Sequence, residues 1–422
     1  MAKSQLIACP KSLLNSLFLY HSALFISSSC PMCFITLCTL GIKGNPLSGK
    51  IHETGSLNPI HRNGLHLPSQ NEEIMFENKA GRTELSELGE FGLIEHISKA
   101  IEIKNPETVT GIGDDAAVLN SGTSLTVVTT DLLIEGVHFD LTFHPLKHLG
   151  YKAITVNLSD VYAMNAIPKQ VLVSVALSNR FSLEAIEELY SGMKLACEKY
   201  GVDLVGGDTS SSTSGLILSV TAIGMVAHGS QVYRNTASEH DLICVSGDLG
   251  GAYLGLQVLE REKKIFLENP DIQPDLSNND YILERQLKPE AQMEIIEKLN
   301  VLGVKPTSMI DISDGLSSEV LHICHQSGVG ADIYEDKIPI DPQTYDRARE
   351  FGLDPTVCAL SGGEDYELLF TIRQEDYEKI REHVDISVIG HITEKNSGVN
   401  LIDKSGKSMM MKAQGWDMLL KK

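Results

Sequence analysis

The chain has 422 residues, 42% of them hydrophobic and 22% charged, with a formal net charge of −21 at neutral pH. That length allows two domains, each with a core of its own, and the composition is that of an ordinary globular protein. The strong negative charge excludes nucleic acid as an expected partner, because phosphate backbones call for a basic surface. Nucleotides stay open, since divalent cations can lie between acidic side chains and phosphates.

The charge is unevenly spread. Residues 1–74 hold five basic and three acidic residues, net +2, so the negative charge belongs to the chain from Met75 onward. Cys9, Cys30, Cys33 and Cys38 also lie in the front segment, whereas Cys197, Cys244, Cys324 and Cys358 are scattered through the body. Scattered single cysteines predict reduced, buried thiols in a cytoplasmic protein. No Asp, Glu, Lys or Arg occurs between Lys11 and Lys43, so that stretch has the length of a membrane span or an export signal. CPMC within it is a C-x-x-C pair without a second pair to complete a zinc site. Residues 44–74, rich in Gly, Pro, Ser, Asn and His, read as linker. We expect Met75 to be the natural start and residues 1–74 an over-long reading of the gene, with a true anchor or signal as the competing account. For the body no membrane association is expected.

LGEFGLIEHISKAIEI, residues 88–103, puts Phe91, Ile94, Ile97 and Ile101 on one helical face. LTVVTTD follows as a buried strand, KHLGYKAITVNLSDVYAM as a helix, KQVLVSVAL as a strand and SLEAIEELYSGMKLACEKYG as a helix ending at Gly201. The short strand VDLV is expected to end in the double glycine before Asp208, and LILSVTAIGMVA is a long strand. The polar stretch YRNTASEHD, residues 233–241, is the best boundary, dividing a domain of residues 75–235 from one of 236–422. The second series opens with LICVSGDLGGAYLGL, strand then Gly-rich turn then helix. It runs on through ERQLKPEAQMEIIEKL, MIDIS, GLSSEVLHICHQSG, ELLFTI, SVIGHIT and VNLID. Alternating strands and helices predict an α/β fold with mixed sheets.

The chemistry lies in acids at the mouths of these elements. GIGDDAAVL places Asp114 and Asp115 in a Gly-rich turn, and LTVVTTD ends in Asp131 with Thr129 and Thr130 beside it. NLSDVYAM carries Asp160, VGGDTS carries Asp208, and MIDISDGL carries Asp311 and Asp314. Each alone has a bland reading as a turn or capping carboxylate, Asp314 as the N-cap of the following helix. Their recurrence points instead to convergence. Two carboxylates 4 Å apart repel by about 4 kcal/mol at an effective dielectric of about 20, so gathered acids take up protons or recruit cations. Asp and Thr are hard oxygen ligands that select magnesium-like ions, and magnesium binds phosphate oxygens readily. Glycines in GIGDD, VGGD, SGDLGG and SGGED are expected to aim backbone N–H groups at anions. No G-x-x-x-x-G-K-[ST] loop and no H-R-D loop is present, which excludes P-loop and protein-kinase sites.

LGEFGLI, GIGDDAAV, TTDLLIEGVHF, NLSDVYAM, VGGDTS, VSGDLGGA, MIDISDGL and SGGEDYELL, in that order, resemble the thiamine-monophosphate kinase family. That family belongs to the superfamily of aminoimidazole ribonucleotide synthetase and selenophosphate synthetase. The resemblance runs from about Glu84 to Trp416 and does not touch residues 1–74. It implies a two-domain ATP-binding fold, a homodimer whose N-terminal domains share a β-barrel, and ATP-dependent conversion of thiamine monophosphate to thiamine diphosphate. It also implies that Asp115, Thr129, Thr130, Asp131, Asp160, Asp208, Asp311 and Asp314 hold several Mg2+ ions. Tyr190, Gly207, Asp208, Arg234 and Ser313 would contact ATP, and His138, Glu364 and Trp416 the thiamine end. No covalent nucleophile is expected. By themselves Arg234 reads as a solvated turn residue, His138 as a satisfied strand-end histidine, and Tyr190 and Trp416 as packing residues.

Within the superfamily, selenophosphate synthetase would need a reactive cysteine in the N-terminal Gly-rich segment, and no cysteine lies between Met75 and Cys197. A hydrogenase-maturation relative would end in cysteine, whereas this chain ends DMLLKK. Aminoimidazole ribonucleotide synthetase stays conceivable, though EGVHF and SGGEDYELL favour the thiamine branch. From another class, a nucleotide sensor without turnover would be expected to have lost part of the acid set.

Overall fold

The computed structural model describes residues 103–412 and scattered positions from Gly92 to Lys99. The leader 1–74, most of the helix predicted at 88–103 and Trp416 lie outside the described residues.

Six strands form the first sheet: β1 (Thr108–Thr110), β2 (Ala117–Asn120), β3 (Leu125–Ile134), β4 (Ile167–Leu177), β5 (Asp203–Ser211) and β6 (Ile217–Val226). Their order is β1-β2-β3-β6-β4-β5, antiparallel throughout except for the parallel pair β4 and β5. Alternation decides what each face does. Leu218, Val220, Ala222 and Val226 of β6 are buried, and the residues between them are half-exposed.

Helices α1 (Leu146–Ala163) and α2 (Leu183–Tyr200) accompany this sheet. α2 begins where Ser182 accepts a hydrogen bond from the Ala185 N–H (3.3 Å), and it ends at Gly201 with φ +64. α1 is buried from Leu149 to Ala163 save Asp160, with the polar Lys152, Thr155, Asn157 and Ser159 inside along with the apolar residues. The two helices touch backbone to backbone. A Cβ on Gly150 would come within 1.9 Å of the Leu189 carbonyl oxygen, and one on Gly192 within 1.8 Å of the Lys147 carbonyl oxygen.

The second sheet holds β7 (Leu242–Ser246), β8 (Ser308–Asp311), β9 (Gly330–Tyr334), β10 (Leu368–Ile372), β11 (Ile386–Thr393), β12 (Val399–Ile402) and β13 (Ser408–Met410). Its order is β13-β12-β9-β11-β7-β10-β8, with β9 and β12 the parallel pair. Helices α3 (Gly251–Glu268), α4 (Asp280–Leu287), α5 (Met293–Leu302), α6 (Leu316–Ser327), α7 (Pro342–Glu350), α8 (Pro355–Ser361) and α9 (Tyr377–Ile380) surround it. ERQLKPEAQMEIIEKL divides into α4 and α5 around Pro289, which cannot continue a helix.

Both sheets are mixed, as expected; the second has a buried cluster of its own around Ile243, Ile310 and Leu369, and a larger cluster spans both. Leu158, Val171 and Val173 belong to the same buried cluster as Met309, Leu368 and Phe370, and the described residues from 103 to 412 fall in one unit. The first sheet is open, with β1 and β5 at its edges, so the described residues contain no closed barrel. Nor does the strand VDLV stop at its double glycine. β5 continues through Gly206, Gly207 and Asp208, and Gly207, with φ +153, has a glycine's reason to be there: a Cβ would sit 1.7 Å from the Val173 carbonyl oxygen. Cys197, Cys244, Cys324 and Cys358 are free and buried. Among the described residues no helix is long and apolar enough to cross a membrane.

The α1–α2 contact leaves no room for a methyl group. Gly192→Ala is expected to destabilise the fold by about 1 to 3 kcal/mol, outweighing alanine's helix preference of about 1 kcal/mol, and thermal unfolding should show a lowered Tm. An unchanged Tm would mean that the helices separate without cost.

Candidate active site

Acids from three distant segments meet in one place. Asp115 comes from the turn before β2, Asp160 from the last turns of α1, and Asp311 from the end of β8. One carboxylate oxygen of each lies within 4.8 Å of the others. Asp131, on the α1-facing side of β3, is close enough for Asp311 to push its titration upward.

Local structure explains the aim of each group. Residues two apart on a strand share a face, so Thr129 and Asp131 both face α1. Thr129 Oγ1 donates to Asp160 Oδ2 at 2.6 Å, and the Asp131 N–H donates to Asn157 Oδ1 of α1 at 3.0 Å. Ser159 Oγ, next to Asp160, donates to Asp311 Oδ2 at 2.7 Å, tying α1 to the second sheet.

The electrostatics are those of crowded, buried acids. Burial and then the Asp311 charge raise the Asp131 carboxyl to about 6. Burial, then Asp131, Asp311 and Asp115, lifts Asp160 well above the usual carboxylate range. Asp115 is lifted well above it too, mainly by burial, against the pull of Arg234. The Arg234 guanidinium pairs with Asp115, and its Nε lies 3.4 Å from Asp114 Oδ1. Far from a solvated turn residue, Arg234 has a side chain only 13% exposed. Asp114 is turned inward to the Asp115 and Arg234 backbone N–H groups, so Asp115 and not Asp114 joins the acid group.

This donor set fits a hard divalent cation. The oxygens are carboxylates, they converge, and Asp115 Oδ2 is buried without a hydrogen-bond partner. Asp115, Asp131, Asp160 and Asp311 would hold the ion, with Thr129 orienting Asp160.

Two expected ligands stay out of the group. Thr130 faces the other side of β3, where its hydroxyl donates to the Val220 carbonyl oxygen at 3.0 Å and accepts from Thr221 at 3.1 Å. Asp208 lies on the exposed edge strand β5, three strand spacings or about 14 Å from β3, in register with exposed Ser174. Gly207 lies on the same strand, and Tyr190 packs half-buried against the core from α2.

The MIDISDGL turn has its own logic. Asp314 is not the N-cap of α6; Gly315 is, without a side-chain cap. The cap runs backwards: buried Glu319, in the first turn of α6, accepts the N–H groups of Asp314 (2.8 Å) and Ser313 (3.2 Å). Glu319 is absent from the expected set, because it lies four residues after the Gly315 N-cap and fits no capping-box spacing.

SGDLGG also departs from expectation. The N–H groups of Gly250 and Ala252 point at an anion, but it is the carboxylate of buried Asp365, at 2.7 and 3.4 Å. Burial raises Asp365 to about 7. Arg285 of α4 binds the two loops together, 2.7 Å from Glu367 Oε1 and 2.9 Å from the Asp248 carbonyl oxygen.

His138 and Glu364 are close to each other. His138 Nδ1 accepts the Ile134 N–H at 3.0 Å. Its titration is lowered chiefly by burial, with Glu364 pulling upward and Lys152 downward, so the three are neighbours.

The raised acids make stability depend on pH. The folded chain holds the Asp131 and Asp365 protons more tightly than an unfolded chain, whose aspartates titrate near 3.8. Ion-free protein should therefore be most stable near pH 4 and lose stability as pH rises through about 6 to 7. Added Mg2+ should raise Tm more at pH 8 than at pH 5; an equal shift at both would show that the ion does not enter this group.

Comparison with known proteins gives the arrangement a lineage. The family model of the AIR synthase related protein, N-terminal domain, matches residues 113–226, and that of the C-terminal domain matches residues 239–402. A thiamine-monophosphate kinase of Bacillus subtilis is 32% identical over 339 residues, 78% of this chain and 99% of its own. One of Aquifex aeolicus is 34% identical over 333 residues, 79% of this chain and 98% of its own. A solved structure of AaThiL complexed with AMPPCP and TMP superposes with a TM-score of 0.68 at 33% identity, covering 80% of this chain and 99% of that one. The chain therefore belongs to the thiamine-monophosphate kinase family of AIR synthase related proteins.

Proposed function

We propose that this protein transfers the γ-phosphoryl group of ATP to thiamine monophosphate, releasing ADP and thiamine diphosphate. The observation that carries the reading is the convergence of Asp115, Asp160 and Asp311 within 4.8 Å, in a chain whose relatives are named for this reaction and include a structure with AMPPCP and TMP.

The chemistry asks little of the protein beyond placement. A phosphate monoester has its second pKa at about 6, so at neutral pH its oxygen is already a nucleophile and needs no general base. That oxygen forms the new bond to the γ-phosphorus as the bond to the β-phosphate oxygen breaks, in line. Bound Mg2+ would neutralise the acid group and the phosphates together. Asp115, Asp131, Asp160 and Asp311 hold the charge that recruits it. Arg234, placed at Asp115, and Ser313, beside Asp311, lie where ATP phosphates would approach. His138 and Glu364 lie at the thiamine end. For Tyr190, Gly207, Asp208 and Asp314 the resemblance supplies the role.

A homodimer belongs to the same reading. The face of the first sheet turned away from α1 exposes apolar side chains, Leu132 at 49% among them, and β5 is exposed along its length. A second copy laid on that face would bury both, and an uncovered edge strand invites pairing. The buried free cysteines suit a cytoplasmic enzyme.

The test is ADP release with Mg2+ and thiamine monophosphate, thiamine or no acceptor. Turnover should require the monophosphate, and dependence on free thiamine alone would overturn the substrate. Asp131→Asn should cost roughly 100-fold or more in kcat, as when one electrostatic stabiliser is removed. It should leave Tm in ion-free buffer at pH 8 unchanged or raised, because a repelled buried charge is gone. Light scattering should give twice the chain mass, and Leu132→Asp should halve it.

A further inference from the structure

Lys152 lies in the middle of the buried helix α1, its side chain only 1% exposed. Its ammonium is 2.7 Å from Glu364 Oε1 and 3.4 Å from the Gln286 carbonyl oxygen. The side-chain amide of Gln286, on α4, donates to the other carboxylate oxygen, Oε2, at 2.7 Å. Both oxygens of Glu364 are thus held from behind, while the Glu364 side chain remains 27% exposed in front.

The backbone is held as firmly. Glu364 and Tyr366 have φ of +66° and +51°, unusual for residues with side chains. The Glu364 N–H donates to the Ser313 carbonyl oxygen at 2.7 Å and the Tyr366 N–H to that of Ile312 at 2.8 Å. Such strain persists only where surroundings over-determine it. A buried ion pair gains the fold little over an apolar pair of equal volume. What this one does is fix a single carboxylate. A carboxylate has about four lone-pair positions; Lys152 and Gln286 take one at each oxygen and leave outward ones for a donor such as the amino group of a cationic heterocycle.

We infer that Lys152 and Gln286 are positioning residues for the thiamine end of the substrate, acting on it only through Glu364. The inference rests on the reading of Glu364 as a substrate contact.

Steady-state kinetics of the full chain decide it, with Lys152→Met, Gln286→Leu, Glu364→Gln and the double variant Lys152→Met/Glu364→Gln. Lys152→Met should raise KM for thiamine monophosphate about tenfold or more, the loss expected of a charge-assisted contact, with kcat and KM for ATP within about twofold. Gln286→Leu should shift the same constant by less. In the double variant the loss should be no greater than in Glu364→Gln alone. Losses that multiply, or a fall in kcat with KM for thiamine monophosphate unchanged, would overturn the inference. Should Lys152→Met fail to fold, the double variant, which removes both charges, and Gln286→Leu carry the decision. If Glu364→Gln itself leaves that KM unchanged, the substrate contact falls, and the inference with it.

Discussion

Mutual repulsion among buried carboxylates is the constraint on which the rest of this structure depends. Asp115, Asp160 and Asp311 come from separate segments and are held within 4.8 Å, with Asp131 close by. At an effective dielectric of about 20, each such neighbour costs roughly 4 kcal/mol while both are charged. The fold meets this with a guanidinium at Asp115, hydroxyls at Asp160 and Asp311, and titrations pushed upward so that protons can share the space. A site that holds negative charge against such resistance is built for something positive.

Holding the acids takes both sheets. β3 and α1 carry two of them, β8 carries a third, and the Ser159 to Asp311 hydrogen bond crosses between the first and second halves of the chain. The continuous core running from Leu158 to Phe370 is the apolar counterpart of that bond. Around it the loops are fastened by charge. Glu319 gathers the Ser313 and Asp314 N–H groups, Asp365 gathers those of Gly250 and Ala252, and Arg285 joins Glu367 to the loop at Asp248. The SGGEDYE loop is in turn tied to the strand end that carries Asp311, because the Glu364 and Tyr366 N–H groups donate to the Ser313 and Ile312 carbonyl oxygens.

Much of this was legible in the residues. The long helices and strands carry strong periodicity, and α1, α2, β3, β4, β6 and β7 fall where the sequence places them. Short elements such as β1, β9, β13, α7 and α8 are not legible in the sequence, because a few residues carry too little pattern to stand apart from loop. The acids Asp115, Asp131, Asp160 and Asp311 were legible as a set, since buried acids at element ends have few uses. The resemblance counts Thr130 among the ligands, yet strand alternation turns its hydroxyl to the opposite face. Asp208 was expected at a strand end, yet it continues in an edge strand that Gly207 lets run close beside β4. Lys152 carries a signal in the sequence: a lysine in the middle of a helix whose other charges, Lys147 and Asp160, lie near its two ends.

What the sequence by itself determined was local or additive: charge balance, helix and strand periods, capping residues, a list of acids and the ordered motifs of a family. Tertiary structure alone decided which of those acids meet, that Arg234 lies among them, that the Gly-rich turn at SGDLGG is already filled by Asp365, and that Lys152 stands behind Glu364. The reason is physical. Propensity and capping act over a few residues along the chain, whereas desolvation and Coulomb energy depend on distance through space, which only the packing of the two sheets sets.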